Sequence, residues 1–444
     1  MLKLSPLSPR PAAALALILA MSAALAVAAP AASPEWPQWR GPNRDDVAQE
    51  SGLLTKWPEA GPPLAWKAGG LGGGFSSVAI SGGRIYTLGD REGSQQVVAM
   101  GLADGKIAWT AKLGPVWEDE YGGPRGTPTV EGDRVYALGT EGDLVCLQAA
   151  TGKEVWRKNL ARDFGGRVMS MWKWAESPLV DGDRLIVTPG VPAAMLVALD
   201  KKTGKEIWRA ATPSLGDQGA DGAGYASVVI SNGGGVKQYV QLTGRGLVSV
   251  RAQDGKFLWG YNKIANDVAN IPTPVVRGDH VFASTGYQTG SALLKLSKAG
   301  DGVQAQEVYF LPSKTLQNHH GGLVLIGDYI YGGHGHNRGY PICVEMATGK
   351  VMWGGEGVEI SHGGSGSAAV TAADGHLYFR YQNGRMVLIE AKPQGYQVKG
   401  AFSIPNVSHP SWSHPVVAGG RLYLREQDNL YVYSLKSDVA AASK

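Results

Sequence analysis

Short hydrophobic runs alternate with Gly-, Asp- and Asn-rich turns along nearly the whole chain. The pattern is clearest over residues 127–157, where β-rich runs occupy 127–130, 134–138, 144–147 and 154–157, separated by turns such as Glu131-Gly132-Asp133. Even spacing of such runs predicts a four-stranded antiparallel meander. Beyond the first thirty residues, no run is long and periodic enough to predict a substantial helix.

The unit T-G-K-x-x-W closes several of these meanders. It begins at Thr151, Thr203 and Thr348, and close variants begin at Asp104 and Asp254. Its copies recur at intervals of roughly 43 to 52 residues, a period that indicates a repeat architecture. Glycine suits a backbone conformation that other residues resist, and a tryptophan after the turn fits a large apolar wedge between repeats. We therefore interpret these tryptophans as architecture rather than chemistry.

Counting the meanders predicts a closed ring. Eight strand bodies begin near Ser76, Thr127, Ser177, Ser227, Thr273, Gly322, Ser367 and His414. Eight closing strands are centred on Trp66, Trp109, Trp156, Trp208, Trp259, Phe310, Trp353 and Phe402. The first closing strand precedes every body, and the last body has none after it. The sequence thus predicts an all-β fold, an eight-bladed β-propeller of four-stranded antiparallel blades over residues 63–437, closed by the N-terminal strand around Trp66.

The N-terminus has the pattern of an export signal. Lys3 and Arg10 precede an apolar run over residues 12–28 and several small residues over 26–32. This predicts a cleavable signal peptide over residues 1–32 and a periplasmic or secreted protein. No cysteine lies near the cleavage region, so a lipid anchor is not expected, and no transmembrane segment is expected in the mature protein. Residues 33–62 are then an N-terminal extension, and residues 438–444 a disordered tail.

The net charge and its distribution argue against one class of partner. The formal net charge is +4, and Lys and Arg form no cluster. Nucleic acid is therefore not an expected partner. We expect a monomer whose partner is a protein or a small-molecule ligand.

Two segments carry a family resemblance. The motif A-L-D-x-x-T-G-K-x-x-W at residues 198–208 is similar to the repeat of PQQ-like (quinoprotein alcohol dehydrogenase-like) β-propellers. The segment W-P-Q-W-R-G-P-N-R at residues 36–44 resembles the start of exported, BamB-like bacterial members of that family. The resemblance covers nearly all of the predicted mature chain and implies the fold more specifically than a function.

The resemblance also implies features that this chain lacks. Quinoprotein dehydrogenases carry a vicinal disulfide beside the cofactor and a calcium ion held by carboxylate and amide side chains. The two cysteines here, Cys146 and Cys343, are predicted on third strands of opposite blades, too far apart for a disulfide. We predict two buried thiols and assign no cofactor, with PQQ and calcium retained only for an oxidoreductase alternative.

The histidines concentrate in the last three blades. In an up-and-down blade, the loop that leads into the first strand and the turn between the second and third strands share one face, which we call the upper face. Seven histidines are predicted on or near it: His319, His320, His334, His336, His362, His409 and His414. They form either a polar ligand pocket at the channel mouth or ordinary rim residues bonded to nearby backbone. No Cys/His spacing fixes a metal geometry; His319, His320 and His362 would be the ligands of any metal.

Aromatic and charged residues lead into other blades on the same face. The set consists of Arg125, Trp172, Trp174, Glu176, Tyr225 and Trp412. Rings could stack on a flat ligand while charged groups anchor it, or some of the rings could cap the core.

Three functions follow from these residues. We predict an exported scaffold that binds a ligand or protein through its His- and Trp-rich upper face. The alternatives are a divergent PQQ-dependent oxidoreductase of alcohols or sugars and a metal-dependent enzyme that uses the histidine cluster. No nucleophile or phosphate-loop motif is present, and catalytic residues stay unassigned.

Overall fold

The computed structural model describes residues 1–2, 34–355 and 361–436. The predicted tail, and the predicted signal peptide apart from its first two residues, lie outside this range. The described chain forms eight four-stranded antiparallel blades in a propeller, one of which gains a short parallel fifth strand, and it contains very little helix. The predicted fold class and blade number are confirmed.

The first four blades use consecutive strands. They are preceded by β1 (Val47–Ala48) and β2 (Leu64–Ala68) and consist of β3 (Ala79–Ser81), β4 (Arg84–Arg91), β5 (Ser94–Gly101) and β6 (Ile107–Pro115); β7 (Thr129–Glu131), β8 (Arg134–Leu138), β9 (Asp143–Gln148) and β10 (Glu154–Asn159), followed by the helix α1 (Leu160–Phe164); β11 (Leu179–Asp181), β12 (Arg184–Val187), β13 (Leu196–Asp200) and β14 (Glu206–Ala210); and β15 (Val229–Ser231), a 3-10 turn (Gly233–Gly235), β16 (Gln238–Thr243), β17 (Gly246–Arg251) and β18 (Phe257–Tyr261).

Blades five to eight follow the same order. Their strands are β19 (Val275–Arg277), β20 (His280–Thr285), β21 (Gly290–Ala299) and β22 (Gly302–Pro312); β23 (Leu323–Ile326), β24 (Tyr329–His334), β25 (Tyr340–Glu345) and β26 (Val351–Gly354), before a 3-10 turn (Ser361–Gly363); β27 (Ala368–Ala373), β28 (His376–Tyr381), β29 (Arg385–Lys392) and β30 (Gly395–Ser403); and β31 (Val416–Ala418), β32 (Arg421–Glu426) and β33 (Asn429–Ser434).

The last blade takes its fourth strand from the N-terminal part of the chain. Strand β2 pairs antiparallel with β33, and Trp66 lies opposite Val432. The predicted closure around Trp66 is therefore confirmed. Arg425 adds to the closure, since its guanidinium reaches into blade one and donates to the carbonyl oxygen of Ser76 (3.4 Å) and to Oγ1 of Thr87 (2.9 Å).

The recurring tryptophan has a geometric cause. In every blade the pairing of the third and fourth strands shifts by one residue just before the closing position, which is a β-bulge. In blades eight, one, two and three the tryptophan then abuts the glycine of the next blade's T-G-K or D-G-K turn: a β-carbon on Gly204 would lie 2.8 Å from the Trp156 ring, and one on Gly255 only 2.5 Å from Trp208. Both glycines have positive φ, 70° and 73°. The T-G-K turn and the tryptophan are thus two halves of one inter-blade contact.

In two blades the residue at the closing position differs from the predicted centre of the closing strand. In blade five the closing position is Tyr309 rather than Phe310, and in blade seven it is Gly400 rather than Phe402. The bulge fixes the register, and the sequence does not reveal it. The space beside Gly400 is taken by Trp57, because a β-carbon there would lie 2.5 Å from that of Trp57.

The segment before the first blade runs through the centre of the ring. Trp36 forms a bridge with Ile80 of blade one, and the N–H of Val130 of blade two donates to the carbonyl of Pro37 (2.7 Å). After a turn, β1 pairs parallel with β27 of blade seven. We call residues 36–48 the plug.

Membrane spanning by helix has no support here. Within the described ranges, no helix combines the length and the apolar character needed to cross a bilayer.

Candidate functional site

An axial cavity of about 300 Å³ opens near the upper face of the propeller. Its lining comes from all eight blades and from the plug, and it comprises Trp39, Arg40, Phe75, Tyr121, Arg125, Trp172, Ala175, Ser177, Tyr225, Ser227, Ala269, Ile271, Pro272, Thr273, Tyr287, His319, His320, Gly322, His336, Asn337, Gln382, Trp412 and His414. A concave site with many rings and a few polar groups is typical of a small-molecule pocket.

The wall beside blades eight and one is a chain of aromatic contacts around Trp412. Its ring centre lies 5.0 Å from that of Phe75, 5.4 Å from Tyr121 and 4.4 Å from His320. Its indole N–H donates to the side-chain oxygen of Gln382 (2.9 Å). Because these contacts fix the indole from several sides, the ring is a pre-organised stacking surface.

The opposite wall is built on Trp172 and Tyr225. Their rings meet edge to face with centres 6.1 Å apart. The Tyr225 hydroxyl lies 2.7 Å from Oγ of Ser170, whose own hydroxyl donates to the carbonyl of Val268. Loops of blades three, four and five thus hold one another in place.

The histidine cluster of blade six forms a third side. The rings of His319 and His320 stack with centres 3.6 Å apart, and His336 lies 4.1 Å from His319. A β-carbon on the next residue, Gly321, would lie 1.5 Å from the carbonyl oxygen of Ala368. Only glycine permits this close passage against blade seven, and the passage sets the direction of the two rings.

These imidazoles are neutral at physiological pH. Burial lowers the pKa of His319 to about 3, and burial with the neighbouring imidazole lowers that of His320 well below its usual range. Burial also lowers the pKa of His336. His319 uses both ring nitrogens, Nδ1 on Asn337 and Ser367 (2.9 Å each) and Nε2 on the Tyr287 hydroxyl (3.1 Å). By contrast, Nδ1 of His320 and Nδ1 of His336 have no hydrogen-bond partner among the described residues, and both atoms are enclosed by protein and not open to the cavity.

Arg125 supplies the cation at the cavity. Its guanidinium donates to the carbonyl oxygens of Trp172 (3.1 Å) and Tyr121 and lies 4.7 Å from the centre of the Trp117 ring. Burial lowers its pKa to about 10, so the side chain stays charged at neutral pH. Two carbonyl contacts leave other guanidinium donors free for an anionic group.

The floor of the cavity belongs to the plug. Trp39 lies 4.4 Å from the His414 ring, centre to centre, and its N–H donates to Oγ1 of Thr273 (3.2 Å). Arg40 is buried below it, 2.7 Å from Asp46, and Asp46 in turn lies 3.1 Å from Nδ1 of His414. The propeller alone would leave this end of the channel without these groups.

Eight of the thirteen residues predicted for the site line the cavity: His319, His320, His336, His414, Trp412, Arg125, Trp172 and Tyr225. The other five, His334, His362, His409, Trp174 and Glu176, do not line it. Whether any of them contacts a ligand stays a prediction.

Trp174 and Glu176 face the interior. Trp174 packs between blades two and three and donates to the carbonyl of Thr188 (3.2 Å). Glu176 is buried and accepts from the backbone N–H (2.8 Å) and hydroxyl (3.0 Å) of Thr188. Burial raises the pKa of Glu176 to about 8, and nearby Arg44 of the plug only partly opposes this.

The three remaining histidines take local roles. His334 is buried, and its Nδ1 accepts from the N–H of Gln317 (3.3 Å). His362 is exposed with a left-handed backbone (φ 72°). His409 is also exposed, and its Nδ1 lies 3.1 Å from the Ser408 hydroxyl.

Sequence reasoning missed several lining residues, chiefly Trp39, Arg40, Phe75 and Tyr287. The plug motif was visible at residues 36–44, but no repeat pattern relates it to the channel. Tyr287 lies in the second turn of blade five, the position that His336 occupies in blade six, and that equivalence was an available signal.

The lining does not fit PQQ with calcium as quinoproteins hold them. Calcium takes six to eight oxygen ligands, with carboxylates prominent, yet no Asp or Glu lines the cavity within the described ranges. Asp46 and Glu176 lie behind the lining, in the contacts given above. Cys146 and Cys343 are free thiols buried in blade cores. Among the described residues, no three or more His, Cys, Asp or Glu side chains are placed to hold a metal ion.

Comparison with known proteins gives two groups of relatives. A family model described as outer membrane protein assembly factor BamB matches residues 93–355. The BamB of Shewanella oneidensis is 21% identical over 310 residues, 65% of this chain and 71% of that protein. The quinohemoprotein alcohol dehydrogenase ADH IIB of Pseudomonas putida is 29% identical over 205 residues, 43% of this chain. That match spans only 27% of the dehydrogenase.

Solved structures agree on the fold. The quinohemoprotein alcohol dehydrogenase of Comamonas testosteroni superposes with a TM-score of 0.61 at 13% identity, covering 90% of this chain and 80% of that one. BamB of Moraxella catarrhalis gives 0.56 at 15% identity, covering 84% and 99%. At such identities the likeness shows the propeller alone.

Proposed function

Because the chain belongs to the PQQ-like β-propeller family whose model is described as outer membrane protein assembly factor BamB, we propose that it is a non-catalytic binding protein. Its ligand is a small molecule with a planar ring, held in the axial cavity at the upper face. We propose that it acts in the cell envelope or outside the cell, on the basis of the predicted signal peptide and of relatives described as outer membrane protein assembly factor BamB. We also propose that it is a monomer.

The observation that carries this proposal is the composition of the cavity. Seven Trp, Tyr and Phe rings line a cavity of about 300 Å³ together with three neutral imidazoles. Aromatic rings of this kind stack on planar ligands. Among the lining residues, His319 contacts the Tyr287 hydroxyl (3.1 Å). Burial lowers the pKa of this imidazole and raises the pKa of this phenol, so the two are poorly suited to act as general base and nucleophile, which favours binding over catalysis.

Charge favours an acidic substituent on that ring. Arg125 offers guanidinium donors at the cavity, and no carboxylate among the described residues lines it to repel an anion. A charged hydrogen bond in a partly desolvated site is stronger than a neutral one.

A charge-matched set of probes tests the proposal. Naphthalene-2-carboxylate, naphthalene-2-carboxamide and 2-naphthylmethylamine would be titrated by calorimetry and by tryptophan quenching. We expect saturable binding of the carboxylate with a Kd of about 1 mM or tighter, from roughly 0.3 kcal/mol per non-hydrogen atom. Ala175→Phe, which fills the cavity, should abolish binding, whereas Ala161→Phe on the exposed helix should not. No saturable binding of any probe would show that the proposal is wrong.

The similarity to quinohemoprotein alcohol dehydrogenases favours a second candidate, a PQQ-dependent oxidoreductase of alcohols or sugars. Its test is incubation with PQQ and Ca²⁺, followed by gel filtration and dye reduction with alcohols and sugars. Co-elution of the cofactor with turnover would establish this candidate and overturn the first. We expect neither, because the lining lacks carboxylate ligands for calcium.

A further inference from the structure

The floor of the cavity comes from a segment outside the repeat. We infer that Trp39 of the plug is the specificity-determining residue of the axial site: its indole sets the depth of the cavity and supplies the surface on which the ligand's ring lies. This inference rests on the proposed function, because it concerns the same cavity.

Trp39 contacts two blades on different sides of the propeller. Its indole N–H donates to Oγ1 of Thr273 in blade five, and its ring packs against the imidazole of His414 in blade eight. The side chain is only partly buried and lines the cavity. An indole fixed at its edge and on one side, with its remaining surface toward a cavity, is suited to stacking.

The turn that follows Trp39 contains strained backbone and buried charged side chains. Arg40, Arg44 and Asp46 all have positive φ, between 57° and 62°, which is strained for residues other than glycine. Arg40 and Asp46 are nearly fully buried as an ion pair, and Arg40 donates to the carbonyls of Thr273 and Leu323. Arg44 donates to the carbonyl of Ser177 (2.8 Å).

Filling the channel alone does not require such a turn. A buried ion pair is often no more stabilising than apolar side chains of similar volume, so an apolar plug would seal the ring equally well. The buried charges connect the turn to blades three, five, six and eight through directional bonds, and such bonds fix a position where apolar packing would allow sliding. We therefore assign them a positioning role for Trp39.

Trp57, which lies between the plug and strand β2, serves as an internal comparison. Trp57 fills the space beside Gly400, and its ring centre lies 5.3 Å from Phe402 and 5.7 Å from Tyr378. It belongs to the core of blades seven and eight and does not line the cavity. Trp57 is therefore a matched control for Trp39.

The experiment compares Trp39→Ala, Trp39→Phe and Trp57→Ala with naphthalene-2-carboxylate and the larger anthracene-2-carboxylate as probes. We expect Trp39→Ala to weaken naphthalene-2-carboxylate binding by about fivefold to tenfold, the loss of one stacking contact, and to admit the anthracene probe that the wild-type cavity excludes. Trp39→Phe should retain most of the affinity. Trp57→Ala should lower the unfolding temperature, leave the Kd for naphthalene-2-carboxylate unchanged and still exclude the anthracene probe.

The outcomes separate this inference from the proposed function. If the wild type binds the naphthalene probe and Trp39→Ala changes neither its affinity nor the size limit, the inference is wrong and the proposed function stands. If the wild type binds no probe, both are wrong. Should Trp39→Ala fail to fold, Trp39→Leu, which keeps an apolar side chain but removes the ring, and Thr273→Val, which releases the indole N–H, decide the matter. Wild-type affinity and size limit in both would overturn the inference.

Discussion

Two groups of tryptophans in this propeller obey different rules. Trp109, Trp156 and Trp208 occupy one position of the repeat, after a bulge, and abut the glycine of the next blade's turn. Trp39, Trp172 and Trp412 occupy no common position, come from loops and the plug, and line the axial cavity. A periodic position must satisfy the same neighbour in each blade, so packing determines its residue. Positions outside the period are free to differ, and there a ring protein can build an asymmetric site.

The largest expected effect tests this division directly. Trp208 is buried against Tyr239 and Gly255, so Trp208→Ala should lower the free energy of unfolding by about 3–5 kcal/mol. Trp172→Ala, at the half-buried cavity wall, should lower it by less than about 1 kcal/mol and weaken naphthalene-2-carboxylate binding instead. Denaturant titration and calorimetry measure the two quantities. Equal changes of Kd in both variants would break the comparison.

A smaller effect tests the glycine half of the contact. Gly255→Ala places a β-carbon 2.5 Å from the Trp208 ring and should destabilise the fold by about 1–3 kcal/mol. Gly82→Ala is the matched control, because its φ is also positive (57°) but nothing lies within 4 Å. Only the backbone strain should then remain. In the Trp208→Ala background the cost of Gly255→Ala should fall to that of the control; equal costs in both backgrounds would show that the two residues do not interact.

The fold was predictable because its information repeats. Eight copies of one strand pattern outweigh local ambiguity, and the unmatched Trp66 indicated the closure. The closing positions Tyr309 and Gly400 lie one and two residues before the predicted Phe310 and Phe402. They were not predictable, because a bulge shifts the closing position without changing the composition of the strand. Trp57 could not be anticipated beside Gly400 because the two positions are far apart in sequence.

The site was predictable only in part, for a related reason. The face rule for up-and-down blades indicates where a loop lies, but it does not tell which side chain of an irregular loop turns inward. Trp172 and Trp174 are two residues apart, yet one lines the cavity and the other enters the core between blades two and three. The plug has no repeat partner at all, so its place in the channel depends on tertiary contacts such as Arg40 with Leu323.

The contribution of Arg125 to ligand binding gives a third, more moderate effect. Arg125→Met should weaken naphthalene-2-carboxylate binding about tenfold, as for loss of one charged hydrogen bond, and leave the carboxamide nearly unchanged. The carboxamide controls for disturbance of the Trp172 and Tyr121 loops, whose carbonyls Arg125 holds. Arg162→Met, on the exposed helix, should alter neither Kd. An equal loss for both probes would assign Arg125 to loop structure instead of anion binding.

The smallest expected effect concerns Glu176. The sequence predicts this residue in the ligand site, but in the structure its carboxylate bonds to Thr188 in the interior of the propeller. Burial raises the pKa of its carboxyl to about 8, from 4.5. Between these values the folded protein retains a proton that the unfolded chain has released, so the free energy of unfolding decreases as the pH rises through this window. Glu176→Gln keeps an acceptor for the Thr188 N–H and carries no charge. Its free energy of unfolding should match that of the wild type near pH 4.5 and exceed it at pH 8 to 9, as urea titrations at each pH would measure.

The buried histidines provide an internal control for this experiment. Burial lowers the pKa of His319 and His320, so below pH 6.5 the unfolded chain takes up protons that the folded protein does not, and the free energy of unfolding falls. Glu176→Gln leaves both rings unchanged, so this loss should persist in the variant. Glu176 lies behind the cavity lining, so Glu176→Gln should leave the Kd for naphthalene-2-carboxylate unchanged at pH 7. A changed Kd would show that Glu176 contributes to ligand binding as well as to the packing of the blades.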